Sequence, residues 1–334
     1  GLCRAGDAGN TVARDLVRAD RLFWIVAPRF GCWDGVAKAA LDRSLGVLSP
    51  FFRVVHGETH HRARYGHYPD WSVLALGVRE PGERAAFDHL VGRNVLNLQG
   101  SEARVVHLED RPGPEAVDTA VDRGLAGTGI HAPDAPPGAF VVPPDPGRWP
   151  DDRPPRAVLW VCSAKEDGTS TSEALGGHLL EALEARGWVT ECEQLRRRVR
   201  AGGRVRAALL DGLTGADLLV LASPVYIDAL PALAVTALGA LVDRGGPGAG
   251  TAGPALLPLV QCGFPELSHT TLAIAIAYRA ARAAGLRWAG HLAVGEGGMV
   301  DGARPGGGGP LGEVAARLDR AAEALHGEAC VPLA

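Results

Sequence analysis

Lysine is nearly missing from this chain of 334 residues: Lys38 and Lys165 stand alone, and arginine supplies the remaining positive charge. The formal net charge is only -4, so the chain lacks the strong charge imbalance that would imply nucleic acid or an anionic membrane surface as partner. Methionine is scarcer still. Met299 is its one occurrence and no initiator opens the sequence, which points to a processed chain or a fragment. The opening stretch GLCRAGDAGNTVARDL has no apolar core of the kind a secretory leader needs. Apolar runs are broken by Gly, Pro or Thr well before they could span a bilayer. Cys3, Cys32, Cys162, Cys192, Cys262 and Cys330 include no C-x-x-C pair, so a zinc or iron–sulfur site is not expected. Free, mostly buried thiols in a reducing cytoplasm are the expectation instead. What remains is an ordinary globular composition, 46% hydrophobic and 22% charged, long enough for two domains.

A Pro/Asp/Gly-rich stretch at 131–156, HAPDAPPGAFVVPPDPGRWPDDRPPR, cannot be helix and reads as a linker laid partly along a surface. It separates domains at 1–130 and 157–334. The second domain alternates. AVLWVCSA (157–164) is a strand, STSEALGGHLLEALEARG (170–187) a helix, and WVTECEQL an edge strand. RVRAALLDGLTGAD then gives a short helix and turn. Strand 218–223, helix 231–243, strand 255–261, helix 268–285, strand 288–295 and helix 311–325 follow. Such alternation predicts an α/β domain with a parallel, doubly wound, five-stranded sheet covered on both faces. The first domain reads as the later portion of the same unit. RADRLFWIVAPRFGCWDGVAKAALDR (18–43) parallels GADLLVLASPVYIDALPALAVTALGALVDR (215–244), and WSVLALGVREPGERAAFDHLVGR (71–93) parallels PALLPLVQCGFPELSHTTLAIAIAYRAARAAG (254–285). An internal duplication follows, with nothing in the first copy to match strand 157–164 and its loop.

In an open parallel sheet ligands sit beyond the carboxyl ends of the strands, so the strand-to-helix loops matter most. The loop from Ser163 to Leu175 offers Thr169, Ser170, Thr171 and Ser172 at a helix N-terminus, with Lys165 nearby; together they suit a phosphate monoester. Pro224 cannot donate to a ladder and should end its strand, leaving residues 225–229 with exposed backbone groups to run along a flat heteroaromatic ring. Tyr226 is placed to cover that ring. In QCGFPE (261–266), Gly263 allows close backbone approach and Phe264 offers a second apolar wall, while Cys262 is expected to pack rather than to attack.

On these pieces the second domain resembles the flavodoxin-like NAD(P)H-dependent FMN reductases. SAKEDGTSTSEAL is similar to that family's Ser-Pro-Arg…Ser-x-Ser/Thr…Leu phosphate loop, with Ala164 and Lys165 where the family usually has Pro and often Arg. ADLLVLASPVYIDALPALAVTALGALVDR is similar to its Ala-Asp…Ser-Pro-x-Tyr…Pro…Asp-Arg segment. The resemblance implies FMN as cofactor and NAD(P)H as co-substrate, a hydride passing through the flavin to a small acceptor such as a quinone or flavin. It places Ser163, Lys165, Thr169, Ser170 and Ser172, with Thr171 among them, on the phosphate. Pro224, Val225, Tyr226 and Ile227 line the ring, with Gly263 and Phe264 beside it. No side chain is assigned an acid/base role, because the chemistry belongs to the flavin. The family also implies a homodimer. IVAPRFGCWDGVAKAALDR in the first domain resembles the ring-binding segment alone. A second, incomplete flavodoxin-like unit is therefore expected, unable to hold FMN by itself, that serves as an interaction surface or covers another subunit's flavin. Two other functions compete: a one-electron carrier like flavodoxin, and a flavin-free interaction protein in which both units have degenerated.

Three further stretches complete the reading. HGETHHRARYGHYPDW (56–71) shows no regular scaffold and reads as a loop, not a metal site. EGGMVDGARPGGGG (296–309) reads as a mobile loop. RRRVRAGGRVR (196–206) reads as a solvated face, with the extra phosphate of NADPH as the alternative.

Overall fold

Strands and helices alternate through most of the described chain. The computed structural model describes residues 9–78, 80–127, 129–131, 133, 135, 137–145, 147–199, 203–245, 253–300, 305–306 and 309–332. The elements are α1 (Gly9–Leu16), β1 (Arg21–Val26), α2 (Gly35–Arg43), β2 (Leu48–Val55), β3 (Glu58–Ala63), β4 (Asp70–Leu76), α3 (Pro81–Asn97), β5 (Ala103–Leu108) and α4 (Pro114–Ala126). They continue with β6 (Arg156–Val161), α5 (Thr171–Glu184), β7 (Val189–Gln194), α6 (Leu195–Val199), α7 (Gly203–Asp211), β8 (Leu218–Pro224) and α8 (Ala232–Asp243). The last are β9 (Ala255–Gln261), α9 (Ser268–Ala283), β10 (Arg287–Trp288), β11 (Leu292–Val294) and α10 (Pro310–Glu328). No helix among the described residues is long and apolar enough to cross a membrane.

The chain divides into two compact units. One is Gly1–Pro137 together with Tyr226–Ala232; the other is Gly138–Val225 with Leu233–Ala334. In the second unit the strands run in the order β10-β9-β8-β6-β7, with β11 also on β9, and every pairing is parallel. Numbered within the unit this is 2-1-3-4-5, the doubly wound flavodoxin-like order. All seven residues of β8 are buried, as an inner strand covered on both faces requires. β7 is the edge strand and accordingly carries the polar sequence VTECEQ. The core under α5 and α10 gathers Leu159, Val161, Leu175, Leu179, Val220, Leu257 and Leu325.

The strand expected as one piece at 288–295 is two. β10 aligns with Ala255 and Leu256 and β11 with Leu259 to Gln261, so the break falls opposite Pro258, which has no N–H to donate. Two aromatic residues of the Pro-rich segment pack within this unit: the Phe140 ring lies against Tyr278, Trp288 and His291, and Trp149 stacks edge-on to Trp188.

The first unit holds three parallel strands in the order β1-β4-β5 and a separate antiparallel hairpin, β2 with β3. The hairpin overturns the reading of 56–71 as a loop without scaffold. His56 (φ 52°) and Gly57 (φ 84°) form its two-residue turn, both left-handed, the geometry that matches the twist of paired strands. Its histidines are hydrogen-bonded within the unit: His60 Nδ1 lies 3.1 Å from Asn97 Oδ1 and His61 Nδ1 lies 2.8 Å from the Ser49 carbonyl. An aromatic cluster of Trp24, Trp33, Trp71 and Phe87 packs the core.

One local device occurs twice. After β1, Arg29 and Cys32 exchange backbone hydrogen bonds around Phe30 (φ 62°) and Gly31 (φ 74°). After β8, Tyr226 and Ala229 do the same around Ile227 (φ 53°) and Asp228 (φ 57°). Both are mirror-image type I′ turns. The second builds its left-handed pair without glycine, and Ile227 is β-branched, so this turn is strained.

Candidate functional site

The carboxyl ends of β6, β8 and β9 lie side by side, which sets the roots of the three loops singled out from the sequence. β8 and β9 stay in register to Pro224 opposite Gln261, and the N–H of Val225 donates to the Gln261 carbonyl at 2.8 Å. Pro224 closes the strand as its last member. Gly297 then joins the other two loops. Its N–H donates to the Cys262 carbonyl at 2.8 Å, and its own carbonyl accepts the Thr171 hydroxyl at 2.9 Å. Glu296 donates its N–H to the Phe264 carbonyl at 2.8 Å.

The four hydroxyls at the start of α5 have four different fates. Thr169 is exposed and donates to the Glu166 carbonyl at 2.6 Å. Ser170 is the N-cap, its Oγ accepting from the Glu173 N–H at 3.1 Å. Thr171 is committed to Gly297. Ser172 is 1% exposed and its hydroxyl has no hydrogen-bond partner. A buried hydroxyl without a partner is costly, and here it sits in the first turn of a helix, where unpaired N–H groups and the helix dipole favour an anion. Ser163 is buried and accepts from the Lys165 N–H at 3.1 Å, which shapes the loop leaving β6; Lys165 itself is exposed.

Two carboxylates border this turn. Glu173 reaches back to accept from the Gly168 N–H at 2.6 Å, and Asp167 is paired with Arg196 (2.5 Å) and Arg197. The arginine run is thus partly an anchor for the loop, with Arg198 on Glu193 at 2.7 Å. The side chains of 203–206, and residues 200–202, lie outside the described residues, as do 301–304 and 307–308 of the glycine-rich stretch. Gly263 is exposed and Phe264 half-buried, its ring 5.1 Å from that of His269. Cys262 packs: it is buried, with Sγ 3.2 Å from the Phe264 carbonyl. Among the described residues no group of three or more His, Cys, Asp or Glu side chains could hold a metal.

The expectation that 225–229 leave their backbone groups free is corrected. The Val225 N–H is spent on Gln261, and Tyr226 and Ala229 are spent on each other. The Tyr226 carbonyl accepts from Lys38 Nζ at 3.0 Å and the Ile227 carbonyl from Asn94 Nδ2 at 3.0 Å. Asp228, 3% exposed, accepts from Arg93 Nε at 2.7 Å and from Asn97 Nδ2 at 2.8 Å, and the Ala232 N–H donates to Asp42 at 2.9 Å. Tyr226 and Ile227 are therefore grouped with the first unit, and the other candidate residues with the second. Burial pushes the Tyr226 phenol above its ordinary value, and Asp42 adds to the effect.

Sequence reading missed these gripping residues. The available signal was polar side chains inside apolar helical runs: Lys38 in GVAKAALDR, and Arg93, Asn94 and Asn97 in HLVGRNVLN. Arg93 is 1% exposed and also bonds Glu58 at 2.6 Å; Lys38 is fully buried and paired with Asp42.

No protein-family model and no curated protein matches the chain. Solved structures do match, at low identity. An oxidoreductase of Corynebacterium diphtheriae is 17% identical, with a TM-score of 0.39, over 52% of this chain and 95% of its own. The NAD(P)H:quinone oxidoreductase of Methanothermobacter marburgensis is 18% identical, TM-score 0.36, over 52% and 96%. A flavodoxin from the domain Archaea is 11% identical, TM-score 0.34, over 51% and 96%.

Proposed function

We propose that this protein is an FMN-dependent oxidoreductase that passes a hydride from NAD(P)H through the flavin to a small acceptor such as a quinone or a free flavin. The observation that carries the reading is the Ser172 hydroxyl, buried and unpartnered in the first turn of the helix that follows β6 in a 2-1-3-4-5 sheet. That donor fits a phosphate oxygen. Thr169 and Lys165 lie on the exposed side of the same loop, and Ser163, Ser170 and Thr171 hold its shape. Pro224 to Ile227, with Gly263 and Phe264, are the residues for the ring. Bound FMN would supply the redox chemistry, accepting a hydride from the nicotinamide and releasing its electrons to the acceptor. The chain's own part is orientation: a rigid loop for the phosphate, and apolar side chains that keep water from the ring. The first unit reads as an incomplete copy that starts at the third strand, a reading supported by its β1-β4-β5 order and by the mirrored turn it shares with the β8 loop.

A second reading, a flavin-free interaction protein, is favoured by one observation: the backbone groups of 225–229 are largely spent inside the protein. Steady-state oxidation of NADH and NADPH by the FMN-loaded protein separates the possibilities. Many turnovers with a quinone or free flavin support the oxidoreductase. A flavin that is bound but turns over negligibly indicates an electron carrier, and a protein that takes up no FMN leaves the flavin-free reading standing.

A further inference from the structure

A type I′ turn without glycine needs something to hold it. Ile227 and Asp228 both sit in the left-handed region, at φ 53° and 57°, where a β-branched side chain is rarely found. Three acceptors of the turn are met by side chains of α3 and α2. Asn94 takes the Ile227 carbonyl, Lys38 the Tyr226 carbonyl, and Arg93 and Asn97 the same Asp228 oxygen. These groups are themselves braced. Arg93 donates to Glu58 at 2.6 Å, Asn94 Oδ1 accepts the Trp33 indole N–H at 2.7 Å, and Asn97 Nδ2 also donates to the Arg93 carbonyl at 3.0 Å. The mirrored turn after β1 has glycine at its second left-handed position, and Glu83 accepts the Gly31 N–H at 3.1 Å. A strained turn braced this heavily by buried polar side chains marks a place where conformation matters more than local comfort.

We infer that Arg93, Asn94 and Asn97 are positioning residues that hold the Tyr226–Ala229 turn, whose Tyr226 and Ile227 belong to the ring side of the FMN reading, in its left-handed conformation. The inference rests on the FMN reading above and extends it. None of the three residues belongs to the flavin-binding set; they act through Asp228 and the Ile227 carbonyl. Because the grip is on the ring side, its loss should weaken a flavin with a phosphate and one without by the same factor.

The test uses the full-length chain, Asn97→Ala, and Asn94→Ala as a second variant should the first fail to fold. Both substitutions remove a hydrogen bond to the turn without stranding a buried charge. Amide hydrogen exchange of the unliganded protein reads the grip directly, and fluorescence titrations with FMN and with riboflavin read its consequence. Exchange across 226–232 should rise at least tenfold in the variant, and the dissociation constants of FMN and riboflavin should each rise about tenfold, the effect expected from one hydrogen bond to a charged or strained group. The visible circular dichroism of the bound flavin should change as well. Unchanged exchange, or faster exchange with unchanged flavin affinity and spectrum, overturns the positioning role. Wild-type protein that binds neither flavin overturns the FMN reading instead, and the exchange measurement still shows whether the grip exists.

Discussion

Thr171 donates its hydroxyl to the carbonyl of Gly297 at 2.9 Å, across 126 positions of sequence. This one bond ties the first turn of α5 to the loop after β11, and through the Gly297 N–H to the β9 loop. Thr171→Val keeps the shape and leaves a buried carbonyl unmet. Unfolding stability in urea should fall by about 1–2 kcal/mol, and a variant as stable as wild type would show that the bond does not matter.

Ser172→Ala should behave in the opposite way. The hydroxyl has no partner in the unliganded protein, so its removal should leave stability unchanged or slightly raised. FMN affinity should fall about tenfold, as for a lost bond to a charged oxygen, while riboflavin affinity stays put. Equal losses for FMN and riboflavin in this variant would show that Ser172 does not meet the phosphate.

How far these sites were legible beforehand differs residue by residue. The alternation of strands and helices follows from apolar runs set against helical leucine spacing, and both signals are local, whereas the 2-1-3-4-5 order was implied by the flavodoxin-like resemblance. The hydroxyl run was equally plain, because a helix start advertises its N-cap. The division of labour among Ser170, Thr171 and Ser172 was not, since it depends on where Gly297 arrives from more than a hundred residues away. The grip on Asp228 lay deeper still. A polar residue in an apolar helix says only that a partner exists, not that the partner is a left-handed Ile-Asp turn. The β2–β3 hairpin escaped notice because His-Gly is an uncommon turn pair beside the usual Asn-Gly.

Gly176 lies where α5 closely approaches its sheet. A Cβ there would lie 2.7 Å from Leu159 Cδ1 and 3.2 Å from Ala222 Cβ. Leu159 is fully buried, so its side chain can give way only by displacing other core residues. Gly176→Ala should therefore destabilise by about 1–3 kcal/mol through overpacking, despite alanine's better helix propensity. A stabilised variant in thermal unfolding would contradict this packing.

His291 sets an acid-side dependence. Burial pushes its imidazole below the ordinary value of 6.5, with Nδ1 buried and unpartnered beside the Phe140 ring. The folded protein favours the neutral form while the unfolded chain takes up the proton. The stability this group contributes is thus present above pH 6.5 and lost as pH falls below it. His89, lowered by burial and then by Arg93, has the same sign. Urea midpoints at pH 7.5 and 5.5 should differ less in His291→Phe than in wild type. An identical difference would remove His291 from the acid response.

Removal of a buried charge should cost the most. Arg93→Met leaves Glu58 and Asp228 without their shared cation, and about 3–5 kcal/mol of stability should go with it. A variant within 1 kcal/mol of wild type by urea unfolding would mean that the two acids find other partners or protonate at little cost.

The most direct measurement is the identity of what the protein carries. Purified protein is incubated with FMN, freed of excess, mildly denatured, and the released small molecules are weighed by mass spectrometry. Flavin binding at the β6–α5 turn requires FMN at close to one per chain, with riboflavin retained far less well. Release of no flavin from protein shown to be folded, or equal retention of riboflavin and FMN, would contradict it.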